Sequence, residues 1–211
     1  MLKKILLPGL LALSFLVSAG PEKLMHLSFD REGELKDECG NVKIRRGTGR
    51  PEWRADGVSG GCLYFDGKSF LRTAPSPLLS FGPGESFSAE VCYCPEKSGE
   101  KNWGNLLTAA ARGASWSIMA SGEIGRPMFN AGIAGKRVRL LAPYQVMLKK
   151  WIRASVVRDA QSKRISLYVD GKMLAEGDDS VPEIFALGSG ELVIGRNFKG
   201  MIDEIILWNG V

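Results

Sequence analysis

The strongest constraint in this chain is an every-other-residue apolar pattern, broken at short intervals by glycine and proline. "SFSAEVCYC" (86–94) sets Phe87, Ala89, Val91 and Tyr93 on one side of an extended segment. Ser88, Glu90, Cys92 and Cys94 fall on the other. "WIRASVV" (151–157) aligns Ile152, Ala154 and Val156, and "ISLYV" (165–169) aligns Ile165, Leu167 and Val169. A period of two marks strands with one buried and one wet face, as antiparallel sheets provide. Further strands are expected at 24–29, 62–65, 69–72, 105–110, 115–120, 127–131, 136–141, 190–194 and 200–208. Twenty-six glycines and ten prolines keep the runs short, and no stretch sustains a helical period. One helical turn fits within 180–190, with Ser180 placed to cap it and Pro182 to begin it. So many short strands close into two packed sheets or a barrel.

Asp170-Gly171 lies between "RISLYV" and "KMLAEG". Both residue types tolerate positive φ, which a two-residue hairpin turn demands, so the pair reads as a turn and not as a ligand site. "FDGKSFL" (65–71) repeats the device at Asp66-Gly67. In "MIDEIILW" the apolar frame slips, because Ile202 and Ile205 cannot share a face of a regular strand. A bulge near Asp203-Glu204 follows.

The first residues read as a secretory signal peptide: Lys3 and Lys4, an apolar run from Ile5 to Val17, then Val17-Ser18-Ala19 and a cut before Gly20. Pro8 and Gly9 interrupt that run, and it is shorter than the ~20 residues a membrane span needs. The expected organisation is a leader over 1–19 and one domain over 20–211, secreted, periplasmic or at the cell surface, with no membrane span in the mature chain. Losing Lys3 and Lys4 takes the formal net charge from +5 to +3. The remaining Lys and Arg are interspersed with Asp and Glu along the chain. The densest basic run, "KIRRGTGR" (43–50), reads as a solvated loop, and nucleic acid is not an expected partner. Export permits disulfides, and Cys39, Cys62, Cys92 and Cys94 allow three full pairings. Cys92 and Cys94 point the same way along one strand, where a direct bridge would be strained, so Cys39–Cys62 is the preferred bridge. The spacing matches no zinc pattern.

Several segments taken together resemble the laminin-G-like domains of the concanavalin A-like lectin/glucanase superfamily. "WIRASVVRDAQSKRISLYVDGKMLAEG" followed by "LVIGRNFKGMIDEIILWN" carries the order of a Trp-led strand, a Tyr-Val-Asp-Gly hairpin, a Leu-x-Ile-Gly strand and Phe-x-Gly-x-Ile-Asp-Glu. "HLSFD" (26–30), "DECGN" (37–41), "GGCLYFDG" (60–67) and "ESFSAEVCYCP" (85–95) are similar to upstream family segments, with Cys39 in place of Ser and Cys92 in place of Trp. The resemblance implies an all-β jelly-roll sandwich of two curved antiparallel sheets, and it implies no single function. It also implies a structural calcium ion at Asp203, with carbonyls near Asp30 and Asp66, although no cofactor is required by the pattern itself.

Glucanases of this superfamily carry Glu-x-Asp-x-Glu on one strand, a spacing that keeps all three carboxyls on one face. That trio is missing here. Asp203 and Glu204 are consecutive, Glu90 stands alone on its strand, and the single histidine, His26, is expected to precede the first strand. The reading is therefore non-catalytic. Trp116, Trp151 and Trp208 sit in strand motifs and read as packing residues, and Trp53 is ambiguous. Trp103 in "SGEKNWGN" is the aromatic placed to stack on a sugar or a partner, and Arg112 and Arg196 follow strand ends where they can line the same face. The expected role is an exported binding or adhesion module for a glycan or a cell-surface protein. A glycan-cleaving hydrolase and a purely structural interaction domain are the alternatives.

Overall fold

The computed structural model of the chain describes residues 20–96, 104–111, 114–122, 125–143, 148–186 and 190–211. The expected leader, 1–19, lies outside them. The strands are β1 (Glu22–Leu27), β2 (Ile44–Thr48), β3 (Glu52–Arg54), β4 (Cys62–Asp66), β5 (Phe70–Thr73), β6 (Phe87–Pro95), β7 (Gly104–Ala111), β8 (Ala114–Ser121), β9 (Arg126–Ile133), β10 (Lys136–Leu141), β11 (Ile152–Asp159), β12 (Arg164–Val169), β13 (Lys172–Asp178), β14 (Leu192–Ile194) and β15 (Lys199–Asn209). Single 3₁₀ turns occupy Pro77–Leu79 and Pro182–Ala186, the second where Pro182 was expected to start one.

Two antiparallel sheets result. One runs β13-β12-β11-β6-β15-β4-β3, with β1 as an eighth strand paired to β15; the other runs β10-β9-β8-β7-β14-β5-β2. The alternation read from the sequence decides what lies between them. Phe87, Ala89, Val91 and Tyr93 are all fully buried. Trp116 is buried as expected, and its ring packs 5.4 Å from Phe87, which stacks on Phe81 at 4.6 Å. Such aromatic pairs add about 0.5–1.5 kcal/mol each beyond the area they bury.

The central strand is β15. One side pairs with β6 from Gly200 to Asn209; the other pairs with β4 over Lys199–Ile202 and then with β1 over Ile205–Asn209. The change of partner falls at the expected bulge. Pairing with β6 jumps from Asp203 opposite Cys92 to Ile206 opposite Glu90, and Glu204 takes a φ of 47°. The 57–61 loop fills the gap between β4 and β1, and Gly61 lets it close. A Cβ at Gly61 would stand 2.5 Å from the indole nitrogen of Trp53 and 2.6 Å from the Phe29 carbonyl oxygen.

Four expectations need correction. Residues 43–50 are not a free loop: most of them form β2, which pairs with β5 at the edge of the seven-stranded sheet. His26 lies inside β1, not ahead of it, and its Nε2 sits 2.7 Å from Glu204 Oε2. The two Asp-Gly turns differ. Asp170 and Gly171 both take positive φ, 50° and 78°, but at 66–67 only Gly67 does. The Asp66 carboxylate instead accepts the Lys68 and Ser69 amides and the Ser69 hydroxyl, which holds its pKa down to about 2. Finally, all four cysteines are free thiols. Cys39 stands half-exposed in a turn whose amides are gathered by Asp37, which also accepts the His26 amide. Cys62 is buried on β4, its Sγ 3.9 Å from Asp56 Oδ1, and burial with that neighbouring carboxylate pushes its thiol up to about 12.

Candidate binding face

Strand register builds a rank of side chains across the whole seven-stranded sheet. Arg139 lies opposite Asn130, Asn130 opposite Ser117, Ser117 opposite Thr108, Thr108 opposite Val193, Val193 opposite Arg72, and Arg72 opposite Arg45. Six inter-strand steps of about 4.8 Å make the rank about 29 Å long. It faces away from the core, because the alternate positions, among them Leu140, Phe129, Trp116, Ile194 and Leu71, are the buried ones. The middle of the rank is low, made of Ser117, Thr108 and Asn130, and its two ends are arginines.

Two polar atoms in that middle, Thr108 Oγ1 and Asn130 Oδ1, are buried and have no hydrogen-bond partner in the chain. Such atoms are few in native folds. Beside Asn130 a hollow of about 200 Å³ opens, lined by Ser115, Gly132, Lys136 and Arg137. At the other end Arg72 Nη1 donates to Glu191 Oε1 at 2.9 Å. The Arg196 guanidinium lies over the Phe70 ring at 4.4 Å, and Arg72 approaches the same ring at 5.4 Å. Arg196 thus lies at the Phe70 end of the seven-stranded sheet. Trp103 and Arg112 lie outside the described residues.

The acids named for calcium are not gathered. Asp203 is fully buried at the bulge. Its Oδ2 accepts the Val58 amide at 2.8 Å and the Ser59 amide at 3.3 Å, and its Oδ1 accepts the amide of Glu204 at 2.8 Å. The carboxylate thus ties the 57–61 loop across the change of strand partner. Burial raises its pKa to about 6 in spite of those three donors. Asp30 is exposed on the far side of this loop, next to Gly60. Asp66 pairs with Lys199, four residues along β15 from Asp203, or about 13 Å of strand. Among the described residues no group of three His, Cys, Asp or Glu is arranged to hold a metal ion, so these three side chains do not by themselves form a calcium site.

Two larger hollows lie near that loop. One, of about 310 Å³, is formed by Trp53, Leu35 and Pro51 with Glu32, Arg46 and Arg50; the Trp53 indole N–H is already donated to the Phe29 carbonyl at 2.8 Å. The other, of about 340 Å³, holds the His26–Glu204 pair, Asp30, Lys36 and Glu38.

Two layers of antiparallel strands, with β15 central and the sheets crossing over at their edges, define a jelly-roll sandwich. The chain belongs to the concanavalin A-like lectin/glucanases superfamily, the Laminin_G_3 family matching residues 63–211. No curated protein sequence matches it significantly. Its fold is similar to domain 4 of AbnA, a GH43 extracellular arabinanase from Geobacillus stearothermophilus, solved in complex with arabinotriose. The two share 22% identity and a TM-score of 0.70 over 90% of this chain and 93% of that one. It is also similar to the binding domain of botulinum neurotoxin serotype G (13% identity, TM-score 0.73, 90% of this chain and 48% of that one). The binding domain of Paraclostridial mosquitocidal protein 1 is alike at 14% identity and TM-score 0.73, over 90% of this chain and 49% of that one. The chain thus spans about half of each toxin binding domain, and at these identities the likeness is one of fold. No helix among the described residues is long and apolar enough to cross a membrane.

Proposed function

We propose that the protein is an exported, non-catalytic binding module that lays an extended glycan along the outer face of its seven-stranded sheet. The observation that carries this reading is the rank from Arg139 to Arg45: a line of donors and acceptors in register across the sheet, interrupted by Val193 on β14. A linear ligand can meet such a line repeatedly, and the unpartnered atoms of Thr108 and Asn130 lie at its centre. The non-catalytic part is supported by composition. None of the seven strands contains an Asp or Glu, so they offer no pair of carboxyls at the 5–10 Å separation glycosidases use.

The test is a glycan array probed with wild type and with the Thr108→Val/Asn130→Ala double variant. Arabino-oligosaccharides belong on it, given the arabinotriose complex of the AbnA domain. Binding weakens at least tenfold in the variant while the melting temperature holds, because Thr108 Oγ1 and Asn130 Oδ1 have no partner in the chain to lose. Equal binding by both proteins would remove the face from the site.

A further inference from the structure

The two layers meet at one edge of the sandwich and part at the other. At the first, β10 packs against β13, so closely that a Cβ on Gly177 would stand 3.1 Å from Leu140 Cδ2. At the second, β2 and β3 end their sheets, and the hollow of about 310 Å³ opens between them. Register decides which side chains enter it. Trp53 on β3 lies opposite Leu63, and Arg46 on β2 lies opposite Leu71; both leucines are buried on the inner faces of their sheets. Trp53 and Arg46 therefore take the inward positions of two edge strands and line the hollow from opposite layers. The indole N–H is held by the Phe29 carbonyl at 2.8 Å, which presets the ring and leaves its apolar surface to offer. Leu35 and Pro51 extend that surface. The rest of the lining is charged with both signs, Arg46 and Arg50 with Glu32, Glu34 and Glu52. Glu34 is engaged by Arg31 at 3.7 Å and Glu52 by Arg54 at 3.4 Å. Glu32, Arg46 and Arg50 enter no ion pair with another described residue.

We propose that this edge hollow binds a small zwitterion with an apolar side chain, of the class of a free apolar amino acid. Arg46 and Arg50 take its carboxylate, Glu32 its ammonium, and Trp53, Leu63 and Leu71 its side chain. The volume lies at the small end of ligand sites, which suits a compact molecule and not a polymer. An anion alone would meet the glutamates, and a cation alone the arginines. A neutral apolar molecule would strip water from Glu32 and Arg46 and give nothing back. An inward-pointing charge on an edge strand also keeps other chains from pairing there. That role requires neither an indole nor opposite charge beside it. Arg46 alternates to the side of β2 away from Arg45, so this site is separate from the outer face proposed for the glycan, and the two readings stand or fall independently.

The test is calorimetric titration of the full chain with phenylalanine and leucine, beside their N-acetyl and amide derivatives and glycine. Phenylalanine or leucine binds. The derivatives and glycine, each lacking the ammonium, the carboxylate or the side chain, bind at least tenfold more weakly. Arg46→Gln erases the preference for the amino acid over its amide, and Glu32→Gln the preference over its N-acetyl form. A protein that was merely loosened would weaken toward all of them alike. Lys172→Gln, on the far edge strand β13, changes neither preference, and thermal melts confirm that all three variants are folded. Equal binding of an amide or N-acetyl derivative overturns the zwitterion assignment. Binding of neither amino acid overturns the site. In that case self-association of Arg46→Gln in the ultracentrifuge would assign Arg46 to guarding the edge strand instead.

Discussion

Replacing Arg158 by Met should cost this fold more than any single surface change. Arg158 and Asp179 are both buried, and Nε of the arginine donates to Asp179 Oδ2 at 2.7 Å. The remaining donors collect the loop before β6: Nη1 reaches the carbonyls of Gly82 (2.9 Å) and Glu85 (2.6 Å), and Nη2 that of Pro83 (2.7 Å). The guanidinium also covers the Phe185 ring at 4.5 Å. Truncation leaves a buried carboxylate without its counter-charge, a loss of about 3–5 kcal/mol. At roughly 2–4 °C per kcal/mol for a chain of this size, the melting temperature falls by about 6–20 °C. The Arg158→Met/Asp179→Leu double variant removes the stranded charge and recovers part of the loss, so the two single effects are not additive. Arg158→Lys restores charge but not the fork to three carbonyls, and melts between Met and wild type. Chemical denaturation and thermal melting of wild type, Arg158→Met, Asp179→Leu, the double variant and Arg158→Lys decide the matter. A melting temperature for Arg158→Met within 2 °C of wild type, or strictly additive singles, would refute the account.

Two further outcomes follow from other sites. Asp203 has a folded pKa of about 6 against an ordinary 3.8, so the native state binds that proton more tightly than the unfolded chain does. Stability therefore rises as pH falls from 7 towards 5, by about 1 kcal/mol of the roughly 3 kcal/mol available once pH drops below 3.8, and Asp203→Asn abolishes this rise; a wild-type melting profile flat between pH 7 and 5 would contradict it. Below pH 4 the trend reverses as Asp66, held near 2, is protonated and its turn loses three hydrogen bonds. Arg45→Thr relieves a like-charge pair directly opposite Arg72 and should raise stability by a few tenths of a kcal/mol; a destabilised variant would show that Arg45 packs and does not merely repel.

Much of the fold was readable because burial and period coincide. In β6 and β12 every second residue is apolar and buried, and β11 follows the same rule until Arg158 takes its last inward position, so sequence and structure carry largely the same information. The bulge at Asp203-Glu204 was readable for the same reason: a slip in the apolar frame has no other outlet in a strand buried on one face. β2 and β3 were not, because they are edge strands. Their members Arg45, Arg46 and Glu52 face water, and only pairing with β5 and β4 makes them strands. The cysteines misled for a tertiary reason. Cys62 and Cys92 lie on the outer face of the eight-stranded sheet, as alternation requires, yet are buried there beside Asp56, Asp203 and Arg153. Nothing local to "SFSAEVCYC" or "GGCLYFDG" announces that cover.

The proposed binding face was hidden for a different reason. Counted along the chain, cations and anions alternate well enough to look like ordinary surface, and the net charge is small. Counted by sheet they separate, because β2 and β10, about ninety positions apart in sequence, become opposite edges of one layer. Stability alone does not favour that arrangement. Arg45 directly opposite Arg72 is an unfavourable cross-strand pair, and Glu191 offsets only part of it. Arg137 and Arg139 sit two residues apart on one face of β10, about 7 Å along the strand and inside the Debye length of about 8 Å, so physiological salt only partly screens their repulsion. The two ends of the rank, about 29 Å apart, do not feel each other at all. Each cost is therefore local to its own end, and removing both would take one carboxylate on β2 and another on β10. Those strands contain none, which is the pattern expected where a rule of stability yields to a ligand.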